Sequence, residues 1–221
     1  MDGSGEIQKL SPSENENPLN IKKFWATVGG MGLTGIILEA TFSVIPISSS
    51  YLNVDTKRFI DIDSLMSEMI EADKKYRYSV AWVDSLSKKF RGVLSCGEHL
   101  DKSELVGNIG ENPLNYDIKA LTTAPNFFPS GLLNRFTVKT FNEAWFRKHP
   151  KLKFGERQNI GQFFYPLDGI NNWNKIYGPS GFIQYQFAVP DKASYLIKKT
   201  LENLRNISAP SFLPVLKRFG K

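Results

Sequence analysis

Cysteine and histidine are nearly absent from this sequence, which excludes several kinds of site. Cys96 is the only cysteine among 221 residues, so the chain holds no internal disulfide framework and cannot build a thiolate metal cluster alone. The two histidines, His99 and His149, have no histidine partner at i, i+4 spacing. A metal site or a Ser-His-Asp triad would therefore have almost nothing to be built from. We expect Cys96 to be an inert thiol and expect no metal.

Long hydrophobic runs are also missing. No stretch approaches the eighteen or so apolar residues that a membrane-spanning helix needs, and Met1 is followed by Asp-Gly-Ser-Gly-Glu rather than by a basic and then apolar segment. We therefore expect a soluble chain without a signal peptide or transmembrane helix. Since 41% of the residues are hydrophobic and 13% aromatic, the chain can still bury a core of one large or two small domains.

Positive charge is in excess but is not concentrated. The net charge is +6 and the pI is near 9.3, which admits nucleic acid, anionic lipid or a phosphorylated substrate as partners. No helix-turn-helix, zinc finger or aromatic RNA-binding signature accompanies the lysines. We interpret the lysines as solvated surface and expect no nucleic acid partner, because the pairs are spread along the chain at Lys22-Lys23, Lys74-Lys75, Lys88-Lys89 and Lys198-Lys199.

A glycine cluster is the most informative motif. Gly30, Gly32 and Gly35 satisfy G-x-G-x-x-G, which in a dinucleotide site follows a strand and opens a helix. Here the order is reversed, because residues 24–28 predict a helical turn before the glycines and residues 36–45 predict a strand after them. Asp55, twenty residues after Gly35, has no helix before it. The cluster is therefore either a tight packing turn or a place where backbone approaches a flat ligand, and its spacing favours the packing turn.

The remaining pattern mixes helices and strands without a βαβ alternation or an internal repeat, which predicts the α+β class. Apolar residues at helical spacing predict a helix over 62–70, capped near Asp63-Ser64, and another after Pro190-Asp191. A short helix is expected over 170–177. Period-two or extended patterns predict strands at residues 51–54, 76–84, 91–96, 134–138, 159–166 and 182–189.

Two amides share one face of the clearest predicted strand, residues 182–189 (FIQYQFAV). Period two places Gln184 and Gln186 together. They either meet water on a half-exposed strand or line a polar cleft and bind hydroxyl groups. The pattern alone favours the half-exposed strand.

Both ends of the sequence interrupt a recognisable unit. The turn signal at residues 2–5 leads into residues 6–10, which resemble the second strand of a hairpin, and the apolar segment 211–219 does not close on a partner. We expect an internal fragment with a large exposed apolar surface.

The segments FWATVGGMGLTGIILEATFSVIPI, GEIQKLSP and FFYPLDGINNWNKIYGPSGFIQYQFAVP together resemble the flavin-dependent decaprenylphosphoryl-β-D-ribose 2-oxidases, members of the vanillyl-alcohol-oxidase-like flavoenzymes. The resemblance runs from residue 3 to residue 221. It implies that residues 1–49 are the C-terminal part of a PCMH-type FAD-binding domain. Residues 50–221 would then form most of a substrate domain built on a large antiparallel sheet flanked by helices.

The resemblance also implies site residues, position by position. Ile37, with Gly32 and Gly35, matches the edge of the FAD site, while no catalytic residue is assigned within the chain. The chain departs from familiar members at Val80 and at Phe164-Tyr165. The positions that match the family's substrate pocket are Trp82, Leu167, Gln184, Gln186, Lys217 and Phe219.

The chemistry implied is hydride transfer from C2 of a polyprenylphosphoryl-β-D-ribose to FAD. The resulting 2-keto sugar would be returned as the arabinose epimer by a partner short-chain reductase, in arabinan synthesis for the cell wall. The resemblance places such an enzyme in the cytoplasm or at the inner membrane surface, with a periplasmic location open for the full-length protein. Two alternatives remain, namely a related flavin-dependent sugar or aldonolactone oxidase and a non-catalytic lipid-phosphate-binding module.

Overall fold

The computed structural model describes residues 1–13, 15–116, 119–125, 131–179, 181–207, 211 and 213–219. It combines helices with an antiparallel sheet, as the α+β prediction requires. The chain divides into two compact units, Met1–Pro46 and Ile47–Lys221. This division falls close to the predicted boundary after residue 49, although the assignment of the first unit to an FAD domain stays a prediction.

Among its described residues the first unit contains one helix, α1 (Pro18–Thr27), which begins where the polar loop ends. Pro18 occupies the first turn, and the Asn17 side chain caps the helix by accepting from the Leu19 amide at 2.8 Å. The helix runs into the glycines, as predicted. The strands predicted at residues 36–45 and 6–10 are wrong, because neither segment forms a ladder in the described part of the chain. Their apolar residues suit a strand, but a strand also needs a hydrogen-bonded neighbour.

The second unit is built on a five-stranded antiparallel sheet in the order β5-β1-β3-β2-β7, beside a small parallel pair, β4-β6. The strands are β1 (Tyr51–Phe59), β2 (Tyr78–Val83), β3 (Gly92–His99), β4 (Thr122–Thr123), β5 (Leu152–Asn159), β6 (Ile170–Asn171) and β7 (Val215–Leu216).

The helices of this unit lie between the strands along the chain. They are α2 (Ile62–Ala72), α3 (Asn108–Glu111), α4 (Arg135–Lys148), α5 (Ile160–Phe164) and α6 (Tyr195–Asn206), with 3₁₀ turns at Lys102–Glu104, Pro166–Gly169, Trp173–Tyr177 and Asp191–Ala193. The predicted helices over 62–70 and after Pro190 are confirmed, although Asp61 rather than Asp63 caps α2 by accepting from the Ser64 amide.

The core lies on both sides of the sheet. On one side, called here the α2 face, the helix packs Leu65 and Met69 against Ala81 and Leu94, and Leu201 of α6 joins Val83 nearby. The other side carries Tyr78, Val80 and Trp82 and is called the Trp82 face. There Phe163 of α5 packs on Leu52 and Val54, so both faces of the sheet are covered in part by helices.

Two of the predicted strands are helix starts instead. Asn134 caps α4 by accepting from the Phe136 and Thr137 amides at 2.9 and 3.1 Å, so residues 134–138 open a helix. Asn159 likewise ends β5 and caps α5 at the Gln162 amide, 2.8 Å away. In both cases an asparagine side chain satisfies a helix N-terminus, and this local effect decides against the extended conformation.

Candidate functional site

The predicted site residues of the second unit begin with Trp82, which lies in the middle of the sheet. Trp82 pairs with Val93 of β3 on one side and with Val215 of β7 on the other, and only 9% of it is exposed. Since side chains alternate along a strand, Ala81 and Val83 point into the α2 face and Trp82 points to the opposite side. The structure thus fixes this side chain as part of the Trp82 face.

β7 brings Lys217 close to the strand partner of Trp82. Leu216 pairs with Ala81 and packs against both core clusters of the α2 face, and Arg218 reaches Asp73 at the end of α2, so the alternation directs Lys217, which stands between them, to the Trp82 side. Lys217 lies directly after β7, and Phe219 follows it; both side chains are exposed. The hydrogen bond from the Val83 amide to the Pro214 carbonyl, 3.0 Å, continues the pairing of the two segments. One cation therefore lies two residues after Val215, the strand partner of Trp82.

Leu167 follows α5, the helix that covers the other end of this face. The ring of Phe163 lies so close to Gly97 of β3 that an added Cβ would meet two ring carbons at 3.0 Å. Leu167 sits half-buried in the 3₁₀ turn Pro166–Gly169, directly after the helix. Glycine at position 97 thus lets α5, and with it this turn, approach the sheet.

Gln184 and Gln186 do not lie in a strand. Residues 182–189 are exposed and belong to no ladder in the described part of the chain, so the strand predicted there is wrong. Phe182 is held at its start by Tyr177, with ring centroids 4.4 Å apart, but Ile183 and Tyr185 are 96% and 78% exposed. The structure places Trp82 and Lys217 on the same side of neighbouring segments, puts Phe219 two residues beyond Lys217, and leaves the two glutamines on a separate exposed segment. Whether they bind substrate stays a prediction.

The glycine cluster serves two different purposes in the first unit. A Cβ on Gly30 would meet the Ala26 carbonyl oxygen at 2.2 Å, and one on Gly35 would meet the Met1 carbonyl oxygen at 2.3 Å. These two glycines therefore allow close backbone packing. Gly32, with φ of +77°, faces open space, and Ile37 is 62% exposed. The described residues fit a contact along one edge of a planar cofactor, at Gly32 and Ile37, and offer no phosphate cradle.

Asp55, the acid twenty residues after Gly35, is structural. Its carboxylate accepts from the Tyr76 hydroxyl and, at 2.8 Å, from the Gly155 amide across the irregularity between β1 and β5. The hydrogen bond to Asp55 and burial raise the pKa of Tyr76 to about 12. Asp55 thus fixes a bulge instead of binding a ribose.

Sequence reasoning missed two groups near these residues. Tyr78 contacts His99 and Phe164, with ring centroids 5.5 and 4.9 Å apart, so the Trp82 face carries an aromatic cluster at the α5 end. The alternation in YRYSVAWV places Tyr78, Val80 and Trp82 on one side of the strand. This pattern could have indicated that Tyr78 belongs to the same face as Trp82. The other group is Arg218, which forms ion pairs with Asp73 and Asp191 and left no signal in the sequence.

Other chemistry is sparse in the part of the chain that the structure describes. No group of three or more His, Cys, Asp or Glu side chains is placed to hold a metal ion, and no described helix is long and apolar enough to cross a membrane. A concavity of ≈ 550 Å³ opens beside α2, but its lining includes Asp63, Glu68 and Glu71. No lysine or arginine among the described residues lines this concavity, so it is a poor alternative to the Trp82 face for a phosphorylated ligand.

Comparison with known proteins first gives the enzyme class of one relative. No family model matches the sequence. A relative that is an oxidase aligns with the whole chain. It is decaprenylphosphoryl-beta-D-ribose oxidase of Mycolicibacterium smegmatis, 37% identical over 228 residues, covering 100% of this chain and 48% of the relative. This similarity confirms the resemblance to that family.

A second relative carries no functional name. It is an uncharacterized protein in the mprA 5' region of Streptomyces coelicolor, 26% identical over 209 residues, covering 89% of this chain and 56% of the relative. The chain thus spans about half the length of the curated relatives it matches.

Proposed function

We propose that this chain is part of an FAD-dependent oxidoreductase that oxidises the C2 hydroxyl of a polyprenylphosphoryl-β-D-ribose to a 2-keto sugar. The proposal is supported by 37% identity to a decaprenylphosphoryl-beta-D-ribose oxidase. The observation that supports it in the structure is the position of Lys217, an exposed lysine two residues after Val215, the strand partner of Trp82. A cation beside apolar walls suits a phosphate joined to a sugar and a lipid.

Each residue has a proposed role. Lys217 binds the phosphate, Trp82 and Phe219 form apolar walls beside the ribose and the first lipid carbons, and Leu167 extends the wall at the α5 end. Gln184 and Gln186 bind ribose hydroxyls through their amides. Gly32 and the Ile37 backbone contact an edge of the cofactor. FAD, when bound, supplies the acceptor for the hydride that leaves C2, while the hydroxyl proton passes to solvent.

The lysine provides the sharpest test of substrate class. With the full-length protein, we expect Lys217→Ala to raise KM for farnesylphosphoryl-β-D-ribose, a short-chain analogue, by about 10- to 150-fold, because a lost charge-assisted contact is worth roughly 1.5–3 kcal/mol. Lys217→Arg should restore part of the affinity. The matched control is Lys153→Ala, which removes another exposed lysine, paired with Glu156 on β5, and should leave KM unchanged.

The same assay separates the alternatives. Oxidation of free ribose or an aldonolactone with no dependence on the polyprenyl phosphate would favour the related sugar oxidases. Ligand binding without any flavin in the purified full-length protein would favour a non-catalytic lipid-phosphate module. An unchanged KM in Lys217→Ala would remove this residue from the phosphate site.

The proposed product also defines the proposed partners. A 2-keto sugar becomes the arabinose epimer only if a second enzyme delivers hydride to C2 from the other side of the ring, which is short-chain reductase chemistry. The resulting arabinose donor would serve cell-wall arabinan synthesis. Because the substrate is anchored in the membrane by its lipid, we propose that the full-length protein works at a membrane surface. There it would meet both the lipid-linked substrate and the partner reductase.

A further inference from the structure

Arg218 stands between Lys217 and Phe219 and points to the α2 face, away from them. Its Nη1 lies 2.7 Å from Asp73 Oδ2, and its Nη2 lies 2.8 Å from Asp191 Oδ2, while Nε donates to Asp191 Oδ1 at 3.4 Å. One guanidinium thus joins two carboxylates that are distant in the sequence. This planar group has five donors in a fixed fork, so it can bind both at once, which a single ammonium cannot do with the same geometry.

The two carboxylates belong to different parts of the proposed site. Asp73 is the C-cap of α2 and also accepts from the Ser79 hydroxyl of β2 at 2.7 Å, so it is fixed to the sheet. Asp191 opens the 3₁₀ turn that follows Pro190, at the end of the exposed segment that carries Gln184 and Gln186. Arg218 therefore connects the sheet, the end of β7 and the glutamine segment.

The two ion pairs differ in their surroundings. The Asp73 side chain is 23% exposed and the Asp191 side chain 74%. Hydrogen bonding to Arg218 holds the pKa of Asp191 below its usual range. An ion pair this exposed contributes little to the free energy of unfolding, because water screens it. We therefore expect the pair between Arg218 and Asp191 to affect mainly the position of the glutamine segment. Its contribution to the stability of the fold should be small.

We propose that Arg218 is a positioning residue, which holds the Gln184–Gln186 segment in register with Lys217 and Phe219 from the opposite face of the sheet. The inference rests on the proposed function, because it assigns those four residues to one ligand. Residues 182–189 have no ladder partner in the described chain, so the ion pair to Asp191 is the anchor at their C-terminal end. Without it the glutamines would sample many positions relative to the lysine, and binding would become weaker.

The experiment compares Arg218→Ala, Arg218→Lys and Asp191→Asn in the full-length protein. Backbone ¹⁵N relaxation of residues 182–191 follows the motion of the segment, and calorimetric titration with farnesylphosphoryl-β-D-ribose gives Kd. We expect Arg218→Ala to lower the backbone order parameters in that segment and to weaken binding about tenfold, with Arg218→Lys intermediate. Asp191→Asn should weaken binding too, and the double variant Arg218→Ala/Asp191→Asn should be no worse than Arg218→Ala.

The matched control is Lys198→Ala. Lys198 forms an exposed ion pair of 2.6 Å with Asp63, which joins α6 to α2 without touching the glutamine segment or β7. It should lower the melting temperature about as much as Arg218→Ala and leave both the order parameters of residues 182–191 and Kd unchanged.

The outcomes separate the inference from the proposed function. Unchanged order parameters of residues 182–191 in Arg218→Ala would overturn the inference, and so would lowered order parameters with an unchanged Kd. If the wild type binds the analogue but does not oxidise it, the proposed oxidase function fails while the Kd values of the variants still decide the role of Arg218. If the wild type does not bind the analogue, both fail.

Discussion

Cys96 shows how one side chain can be predicted from the sequence. The thiol was expected to be inert, and it lies buried in the core cluster between α2 and the sheet. Burial, followed by the nearby carboxylate of Asp55, raises its pKa to about 12. Because the thiolate is the reactive form of cysteine, almost none of Cys96 is nucleophilic in the native protein at neutral pH.

We therefore expect Cys96 to resist a thiol reagent in the native protein from pH 7 to pH 9 and to react fully after unfolding. The raised pKa means that the neutral thiol stabilises the fold fully below the unfolded value and that this contribution is lost as pH rises towards 12. Colorimetric thiol titration with and without denaturant measures the difference. Rapid native labelling at pH 8 would contradict the assignment.

Gly97 gives a prediction about packing on the Trp82 face. Gly97→Ala places a Cβ 3.0 Å from two carbons of the Phe163 ring and 3.2 Å from Leu52 Cδ2, so both side chains must move. We expect a loss of about 1–3 kcal/mol in the free energy of unfolding, measured by urea denaturation. Phe163→Leu in the same chain should recover part of the loss.

The control for this substitution is Gly169→Ala. Position 169 lies in the 3₁₀ turn after α5 and has no atom within 4 Å of an added Cβ. It should leave the unfolding free energy nearly unchanged, and an equal loss at both positions would show that crowding at Phe163 is not the cause.

Helix α4 is attached to the sheet by a buried polar network. Asp84, 2% exposed, follows β2 and accepts from Asn142 Nδ2 at 2.7 Å and from Arg91 Nε at 3.0 Å. Arg91 also pairs with Glu143 at 2.6 Å and lies over the Phe146 ring. The network therefore connects the ends of β2 and β3 with the middle of α4.

Removing Asp84 should release this helix. Asp84→Ala leaves the Asn142 amide and Arg91 Nε without their buried acceptor, while Arg91 keeps its pair with Glu143, and we expect a loss of about 2–4 kcal/mol in the free energy of unfolding. Lys74→Ala, which breaks an exposed pair with Glu71, should cost less than about 0.5 kcal/mol. Chemical denaturation of both variants checks the contrast, which equal effects would contradict.

Helices and strands whose buried side gives a periodic apolar pattern could be predicted from the sequence. Elements whose start depends on a single side-chain contact could not. The apolar face of α2 and the alternation of β2 report burial directly, because burial sets their composition. The helix starts at Asn134 and Asn159 depend on a single side chain that bonds a backbone amide, and their flanking β-rich residues suggested strands. For residues 182–189 the composition suits a strand, while pairing depends on a neighbour that no local pattern reveals.

The same distinction between locally predictable and contact-dependent features applies to the candidate site. Trp82 with Lys217 and Phe219 came from a resemblance, and the pairing of β2 with β7 brings the segment that carries Lys217 beside Trp82. Arg218 had no motif, because its two carboxylates are far away in the sequence and meet only in the folded chain. Binding groups can thus be suggested by similarity, whereas the residues that orient them depend on tertiary contacts.

Across the whole chain, the expected exposure of apolar surface is confirmed for the described residues. Exposed apolar side chains in the first unit include Ile36, Leu38, Phe42, Val44 and Ile45, and those in the second include Ile183 and Tyr185. Contiguous apolar exposure of this kind marks an interface or a ligand surface.

We therefore expect the 221-residue chain to bind a hydrophobic dye such as anilinonaphthalene sulfonate under native conditions, with a fluorescence increase that the full-length protein shows less strongly. Light scattering on the same samples is the control, since the comparison requires monodisperse protein. A monodisperse chain that leaves the fluorescence unchanged would contradict this expectation.

The alternation around β7 has a practical consequence for protein engineering. Leu216 and Arg218 hold the segment from one side, whereas Lys217 and Phe219 extend from the other side into solvent. Randomising positions 217 and 219 alone would therefore vary the chemistry offered to a ligand with little effect on expression or folding. A small two-site library could then be selected for new headgroups, while positions 216 and 218 are kept unchanged.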